Sequence, residues 1–584
     1  MQYKIYFLLL FFALVTVASA QKMTLPALEK NTTASNLQLQ KKLDSIFSSF
    51  NKSTPGVAVT VMQNGKVIAK KVYGLASLEH SAPFTHNTVV RLPYSEGREF
   101  ISIAAVLMEK QGLLSLDDKV RKYFPELPGW SEPVNIRDLL NHRSGFADEW
   151  ATLLLTQASM ANRFDKSKFL NLLYRQPKPE VEPHKGYMYS NSDFGLLRLI
   201  LEKASGQNLQ LWMKKILFTP LEMNATRLHD DKNDVIPGFA ALYYRYLDGY
   251  KTWTSDKTSP GGNYYIASSV NDLEKWAIAH EDSTSTIAKA AERLFKEPQL
   301  MPGKDKNYVF GYKIKTVGNY EIFTHQGVSE RTYISTIKEK RLTIILLSNT
   351  SGETYPYHEA ILSYLLDKKK PSFVNKSFRK EKVQYTNAQL QKYTGIYVDE
   401  DAVTYESFTT KRNELLSLLV INDSLKIKFG NDIIPLEYIA PGVFKDVEFP
   451  TYLEFSAVNG DSNKLRAHIN QNNSILNLVK DTATYWQPLK TQLKSITGSY
   501  YSPHLDFYWT IILNKEGKLI VKRATIADTP LEPRINGEFR MLIEKFEGDS
   551  YNSYVTFHAD EKGNITHLTV HDSRLMHHRF DKLQ

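Results

Sequence analysis

Apolar residues run almost unbroken from Phe100 to Met108, within the stretch Arg91–Gly112 that reads RLPYSEGREFISIAAVLMEKQG. A run of this length without strand alternation predicts a helix buried on most sides. It closes at Gly112, a residue suited to the position after a helix, with Glu109 and Lys110 in the last turn. Around it the pattern changes period. Leu37–Phe50 reads as a short amphipathic helix, and Gly56–Met62 and Lys66–Tyr73, joined at Asn64-Gly65, read as a β-hairpin. Ser115 and the two aspartates after it look like a helix start, and VNIRDLLNHRSGF like a short helix ending at Ser144-Gly145. From about Asp148 to Ala225 the pattern is mostly helical. It is interrupted by QPKPEVEPHKG, a loop that delivers Tyr189-Ser190-Asn191 to the start of the helix DFGLLRLILEKASG. A loop-rich stretch holding Pro260-Gly261-Gly262 precedes a helix around Val270–His280.

From Tyr308 the period becomes that of strands: YVFGYKIK, YEIFTH, RTYISTIK and LTIILLSN, then a helix over roughly Tyr355–Leu366. A hairpin in front, helices in the middle and strands behind imply one antiparallel sheet assembled from both ends, with the helical block inserted. Residues 371–386 read as a polar linker. The remainder of the chain is repetitive: LQKYTGIY at Leu390–Tyr397 and LKSITGSY at Leu493–Tyr500 each open a strand-rich segment. Two tandem small β-barrels or sandwiches are expected. The expected division is 1–20, 21–370, 371–386, 387–486 and 487–584.

Composition adds three constraints. Lys4, the apolar Tyr6–Val17 and Ala18-Ser19-Ala20 have the form of a secretory signal peptide, so export to a periplasmic or extracellular location is expected. No later stretch approaches the roughly 18 continuous apolar residues of a membrane span. The chain contains no cysteine, which excludes disulfides, a thiol nucleophile and cysteine-held metals. Its net charge of +10 is interspersed with acids almost everywhere, the densest basic run being Lys368-Lys369-Lys370, so the excess reads as an ordinary basic surface and not a nucleic-acid site.

The candidate chemistry begins at Ser95 and Arg98, three residues apart and so on one helix face. A serine before a helix is most often only an N-cap. Here it is followed in order by Tyr189-Ser190-Asn191 and His325-Gln326-Gly327. With GLLSLDDKVRKYFPELP, IRDLLNHRSG, YSNSDFGLL, TPLEMNAT and the SSVNDLEKW helix, the chain from about Leu43 to Asn349 resembles the serine β-lactamase and penicillin-binding-protein superfamily. The nearest branch is the class C-like one of D-aminopeptidases, DD-peptidases and esterases. The C-terminal repeats resemble, more weakly, lipocalin-like β modules. The resemblance implies an α/β fold: a transpeptidase-like antiparallel sheet flanked by helices with a helical subdomain, followed by two small all-β domains.

It also implies roles. Ser95 would be the acylated nucleophile, Tyr189 a proton relay, Asn191 a holder of the substrate amide, and His325 the third-motif residue, on an edge strand beside the cleft. Gly327 follows His325, and the backbone N–H groups of Ser95 and Val328 would form the oxyanion hole. No cofactor or metal is implied. The substrate would be a small molecule, peptide or ester, cell-wall peptide among them.

The departure from the family is Arg98, which stands where the family has lysine. Lysine starts near a pKa of about 10.4 and yields to burial and neighbours; arginine starts above about 12.5, so deprotonation at pH 7 costs roughly 7–9 kcal/mol. Arg98 is therefore not a base, and its planar fork needs more room. Pro93 and Tyr94 replace the small residues expected before the serine, and Glu96 is placed to pair with Arg98. Ser49–Lys52, Ser335–Lys338 and Ser377–Lys380 share the four-residue spacing, but none begins a buried helix. His142 reads as structural, and His577-His578 on a strand suits joint metal ligation poorly. Two functions remain open: an exported hydrolase with Tyr189 or His325 as the base, or a binding protein using the same cleft and the C-terminal modules without turnover.

Overall fold

The computed structural model describes residues 34–583 except 93, 157–165, 230–233, 247–248, 253–264, 297–307, 310, 318, 327–331, 352–353, 367–384, 400–413, 430–431, 447–451, 459–460, 472–473, 481–485, 524–525, 535–536, 545–549, 573 and 577. The expected signal peptide, the basic run at Lys368, most of the linker, the paired glycines at Gly261, Ser377, His577, Gly327 and Val328 therefore lie outside the described residues.

A seven-stranded antiparallel sheet organises the first half. Its order is Tyr308–Val309, Tyr312–Val317, Tyr320–Gln326, Thr332–Ile337, Leu342–Ser348, Val57–Gln63 and Lys66–Tyr73. The two ends of the chain segment meet in its interior, where Val57 pairs with Ser348 and Gln63 with Leu342. Asn64 and Gly65 both have positive φ, 52° and 70°, as a tight I′-type hairpin turn requires. The strand Val57–Gln63, next to the edge strand Lys66–Tyr73, is buried on both faces. Val57, Val59 and Val61 pack with Leu39, Leu43, Ile361 and Leu362 of the helices Ala34–Ile46 and Tyr355–Leu365. On the other face Thr60 Oγ1 donates to Glu274 of the helix Val270–Glu281 at 2.7 Å.

The helix Tyr94–Lys110 lies in the core behind the sheet, with every residue from Phe100 to Met108 buried. It leaves the strand Val90–Leu92 and stops before Gly112, whose φ is +71°. Three expectations need correction. YVFGYKIK is not one strand, because Gly311 at φ +98° turns it into the pair Tyr308–Val309 and Tyr312–Val317. The helix expected at Ser115 is only Val120–Tyr123, because Asp118 instead accepts from the Ser115 N–H and binds Lys122 and Tyr123. The front helix ends at Ile46 and not Phe50.

Both C-terminal segments are closed eight-stranded barrels with strands in chain order, from Gly395–Asp399 to Ser474–Lys480 and from Gly498–Ser502 to His578–Lys582. The repeated octapeptides do the same work in each. Tyr397 Oη donates to Tyr393 O at 3.0 Å and Tyr500 Oη to Ile496 O at 2.8 Å. Gly395 and Gly498 hold positive φ where the last strand's Lys480 and Lys582 cross, so a side chain there meets both strain and a lysine stem. Both interiors are packed with apolar and aromatic side chains, among them Tyr397 and Phe444 in the first and Trp509 and Phe539 in the second.

Candidate active site

Ser95 falls in the first turn of the helix Tyr94–Lys110, and Arg98 one turn further in. Arg98 is 2% exposed. Its Nη2 donates to Asn191 Oδ1 at 2.6 Å, and its guanidinium carbon lies 4.5 Å from the Tyr189 ring centroid and 4.9 Å from that of Phe194. Because arginine only donates, this contact fixes the Asn191 amide with its oxygen toward Arg98. Gly311 lets its strand lie close to this helix: a Cβ there would sit 3.1 Å from Arg98 Cβ and 3.2 Å from Glu99 N. The bend that splits the expected strand thus also brings it against the backbone of the Ser95 helix.

Beneath Arg98 lies His142, which is fully buried and held at φ +54°. Its sequence neighbourhood gives it a structural role only; the structure puts it at the centre of the site. Its Nδ1 is 3.0 Å from Asp193 Oδ2, and its Nε2 is 3.1 Å from Tyr308 Oη and 3.4 Å from Arg98 Nη1. Ser144 Oγ donates to the other Asp193 oxygen. Burial disfavours charge on this set. It pushes His142 well below its usual pKa, helped by the nearby Arg98 and Arg574 guanidiniums, so the imidazole is neutral. It likewise pushes Asp193 and Tyr308 well above theirs. The positive charge of the site is therefore carried by arginine.

Asp148 joins three elements. Its Oδ1 accepts from Ala151 N at the start of the helix Glu149–Thr156, and its Oδ2 from Asn191 N at the start of the helix Asn191–Ser205. Arg574, from the second barrel, lies 3.6 Å from the same Oδ2. The Arg574 guanidinium carbon is also 4.8 Å from the Tyr189 ring centroid. Two arginines from distant parts of the chain thus contact one tyrosine, an arrangement that steadies the ring by cation–π attraction.

The barrel is anchored there by several contacts. Trp509 Nε1 donates to Leu155 O at 3.0 Å, and Ala147, Ala151 and Leu155 belong to the barrel's own apolar core. His504 Nε2 meets Leu172 O at 3.0 Å. Met576 N donates to Glu180 Oε2 at 2.5 Å. Burial, with Asp572 close by, pushes Glu180 up from 4.5 to about 8, while burial pulls His504 from 6.5 down to about 4.

These two shifts have opposite signs in their effect on docking. Glu180 binds its proton more tightly when docked, so its contribution falls as pH rises from 4.5 to about 8. His504 binds its proton less tightly, so its contribution falls as pH drops below 6.5. Between 4.5 and 6.5 the two nearly cancel, and of the pair only Glu180 acts above 6.5. Docking should weaken by about 2 kcal/mol between pH 6.5 and pH 8, at about 1.36 per unit. Urea denaturation across that range should show the barrel transition moving to lower urea in the native chain and holding still in Glu180→Gln.

Of the residues expected in the site, Arg98, Tyr189 and Asn191 come together as described, and Ser95 and His325 are placed by backbone. His325 lies near the end of the interior strand Tyr320–Gln326, paired with Ile334. That strand is flanked on both sides, by Tyr312–Val317 and by Thr332–Ile337, so the expected edge-strand position is corrected. Described contacts give Arg98 the partners above; the Glu96 side chain lies outside the described residues. The decoy serines are elsewhere: Ser49 follows the front helix, and Ser335 is buried in a strand against His358 at 2.8 Å. His578 is buried with Ser502 at 3.0 Å. His142, Asp148, Tyr308 and Arg574 carry no sequence signal that marks them as site residues.

A family model described as Beta-lactamase matches residues 43–365. Penicillin-binding protein 4* of Bacillus subtilis (strain 168) is 26% identical over 410 residues, 65% of this chain and 87% of that protein. A D-aminopeptidase of Cereibacter sphaeroides is 24% identical over 340 residues, 57% of this chain and 64% of that protein, so less than two thirds of that relative is spanned. Among solved structures, the octameric penicillin-binding protein homologue from Pyrococcus abyssi shares the fold, with a TM-score of 0.50 and 22% identity over 76% of this chain and 99% of that one. The family match covers the sheet, the Ser95 helix and the cluster around Arg98, and with more than half of its length so matched, the chain belongs to the Beta-lactamase family.

Proposed function

We propose that this chain is an exported serine hydrolase that cleaves amide or ester bonds in small peptide-like substrates through an acyl-enzyme on Ser95. The observation that carries the reading is the held cation one helical turn after Ser95: Arg98 is buried and tied to Asn191 and Tyr189. In this reading Ser95 Oγ attacks the substrate carbonyl, and the N–H groups of Ser95 and Val328 receive the oxyanion. Such donors are typically worth about 3–4 kcal/mol in the transition state. The Tyr189 hydroxyl accepts the Ser95 proton as it passes its own to the leaving nitrogen or oxygen, and the scissile bond breaks. Water then reverses these steps and frees the acid. Arg98 supplies fixed charge where the family's lysine would also exchange a proton. His325 is the other candidate for the proton transfer.

The D-aminopeptidase relative makes peptide amides the first substrates to try, with cell-wall peptides next. A second reading, binding without turnover, is favoured by one specific observation: the Asn191 oxygen that would face a substrate amide is already bonded to Arg98. Mass spectrometry after a fluorophosphonate or β-lactam probe separates the two. Hydrolase action predicts label on Ser95, slowed by about 10²–10⁴-fold in Tyr189→Phe. An unlabelled native chain that becomes labelled in Arg98→Lys would establish the binding reading instead.

A further inference from the structure

The second barrel contains a buried cation with one hydrogen bond among the described residues. Arg523 ends the strand Leu519–Arg523, in which Leu519 and Val521 point into the barrel core and Lys522 points out. By the two-residue alternation Arg523 faces inward, and it is 5% exposed. Thr510 pairs with Lys522, so the next pair along is Trp509 and Arg523. Arg523 therefore sits beside the tryptophan that reaches Leu155, at the barrel end turned toward the candidate active site.

Its Nη2 donates to Thr529 Oγ1, but among the described residues Nε and Nη1 have no hydrogen-bond partner. Burial alone pulls the group down to about 10, so it remains charged at neutral pH. Ser553 is a second case in the same interior. It pairs with the core residue Met541, is fully buried, and its Oγ likewise has no partner among the described residues. Asp572, at the same end, has its Oδ1 engaged by the N–H groups of Arg574 and Leu575.

Among the described residues no carboxylate pairs with Arg523, and a buried guanidinium so placed is strongly unfavourable, as are unmet donors in an apolar interior. We propose that the second barrel binds a small anion, a short carboxylate or an inorganic ion of similar size, on Arg523 and Thr529 at its end facing the active site. Trp509, Phe539 and Met541 occupy the apolar core of the same barrel. The proposal does not depend on whether Ser95 is acylated.

The test uses the full mature chain. Crystals soaked in bromide should show one anomalous peak within hydrogen-bond distance of Arg523 Nε or Nη1. In solution the melting temperature should rise with acetate or phosphate at constant ionic strength. Arg523→Met should remove both effects and weaken binding by roughly tenfold or more, the usual worth of a hydrogen bond to a charged group. Thr529→Val, which keeps the charge, provides the comparison if Arg523→Met does not fold, and should shift the acetate midpoint without abolishing the bromide peak. Ordered water alone at Arg523, or an identical anion response in native and variant chains, would overturn the proposal.

Discussion

Trp509→Ala is expected to lower the stability of the second barrel by about 3–5 kcal/mol, the usual cost of emptying a large aromatic site. The indole is fully buried, stacks on Phe580 at 4.3 Å between centroids, and donates to Leu155 O across the boundary with the helical region. Removing it opens a cavity and leaves the last turn of the helix Glu149–Thr156 without its donor. Trp509→Phe keeps most of the packing and loses the N–H, so about 1–3 kcal/mol of the effect should remain. Urea denaturation followed by tyrosine fluorescence should show a separate barrel transition at lower urea in both variants, earlier in the alanine one. An unmoved transition would mean that the barrel is not anchored through this residue. Because Arg574 reaches Tyr189 only while the barrel is docked, Trp509→Ala should also change the rate at which probe reacts with Ser95.

Arg98→Lys should change reactivity more than any other single substitution. A lysine at that position can exchange a proton, and a positioned general base contributes about 10²–10⁴-fold. Ser95 labelling is expected to accelerate by a factor in that range. The same change should cost stability, because the ammonium loses the guanidinium's planar contact with Tyr189 and Phe194 and its bond to Asn191. A charged hydrogen bond is typically worth about 1.5–3 kcal/mol. Faster labelling in a less stable protein is a signature that a merely structural arginine would not produce. Slower labelling would show that the arginine itself serves the reaction.

The parts of this molecule legible from its sequence are those with local causes. The Asn64-Gly65 hairpin is readable to within a residue, because two positive-φ residues between alternating apolar runs admit little else. The Phe100–Met108 run forms the buried helix for the same reason. The octapeptide repeat points to two tandem β modules, barrels or sandwiches, and its tyrosine does the same job in each of the two barrels. His142 escapes such reading because its meaning depends on Asp193 and Tyr308, which are 51 and 166 positions away. Arg574 lies further still from the residues it contacts, and nothing in its own neighbourhood signals a cleft. The split at Gly311 is hidden because the flanking residues keep strand alternation while the backbone turns against the helix at Arg98.

The pairing of Val57 with Ser348 has a consequence in time. The two strands are about 290 positions apart, and at a synthesis rate of roughly 5–20 residues per second the second follows the first by about 15–60 s. Through that interval the all-apolar face Val57, Val59 and Val61 has its hairpin partner on one side and an open edge on the other. An open apolar edge is a template for association with other chains. The sheet can therefore close no sooner than the last of its strands is made, and until then the apolar strand keeps one edge open.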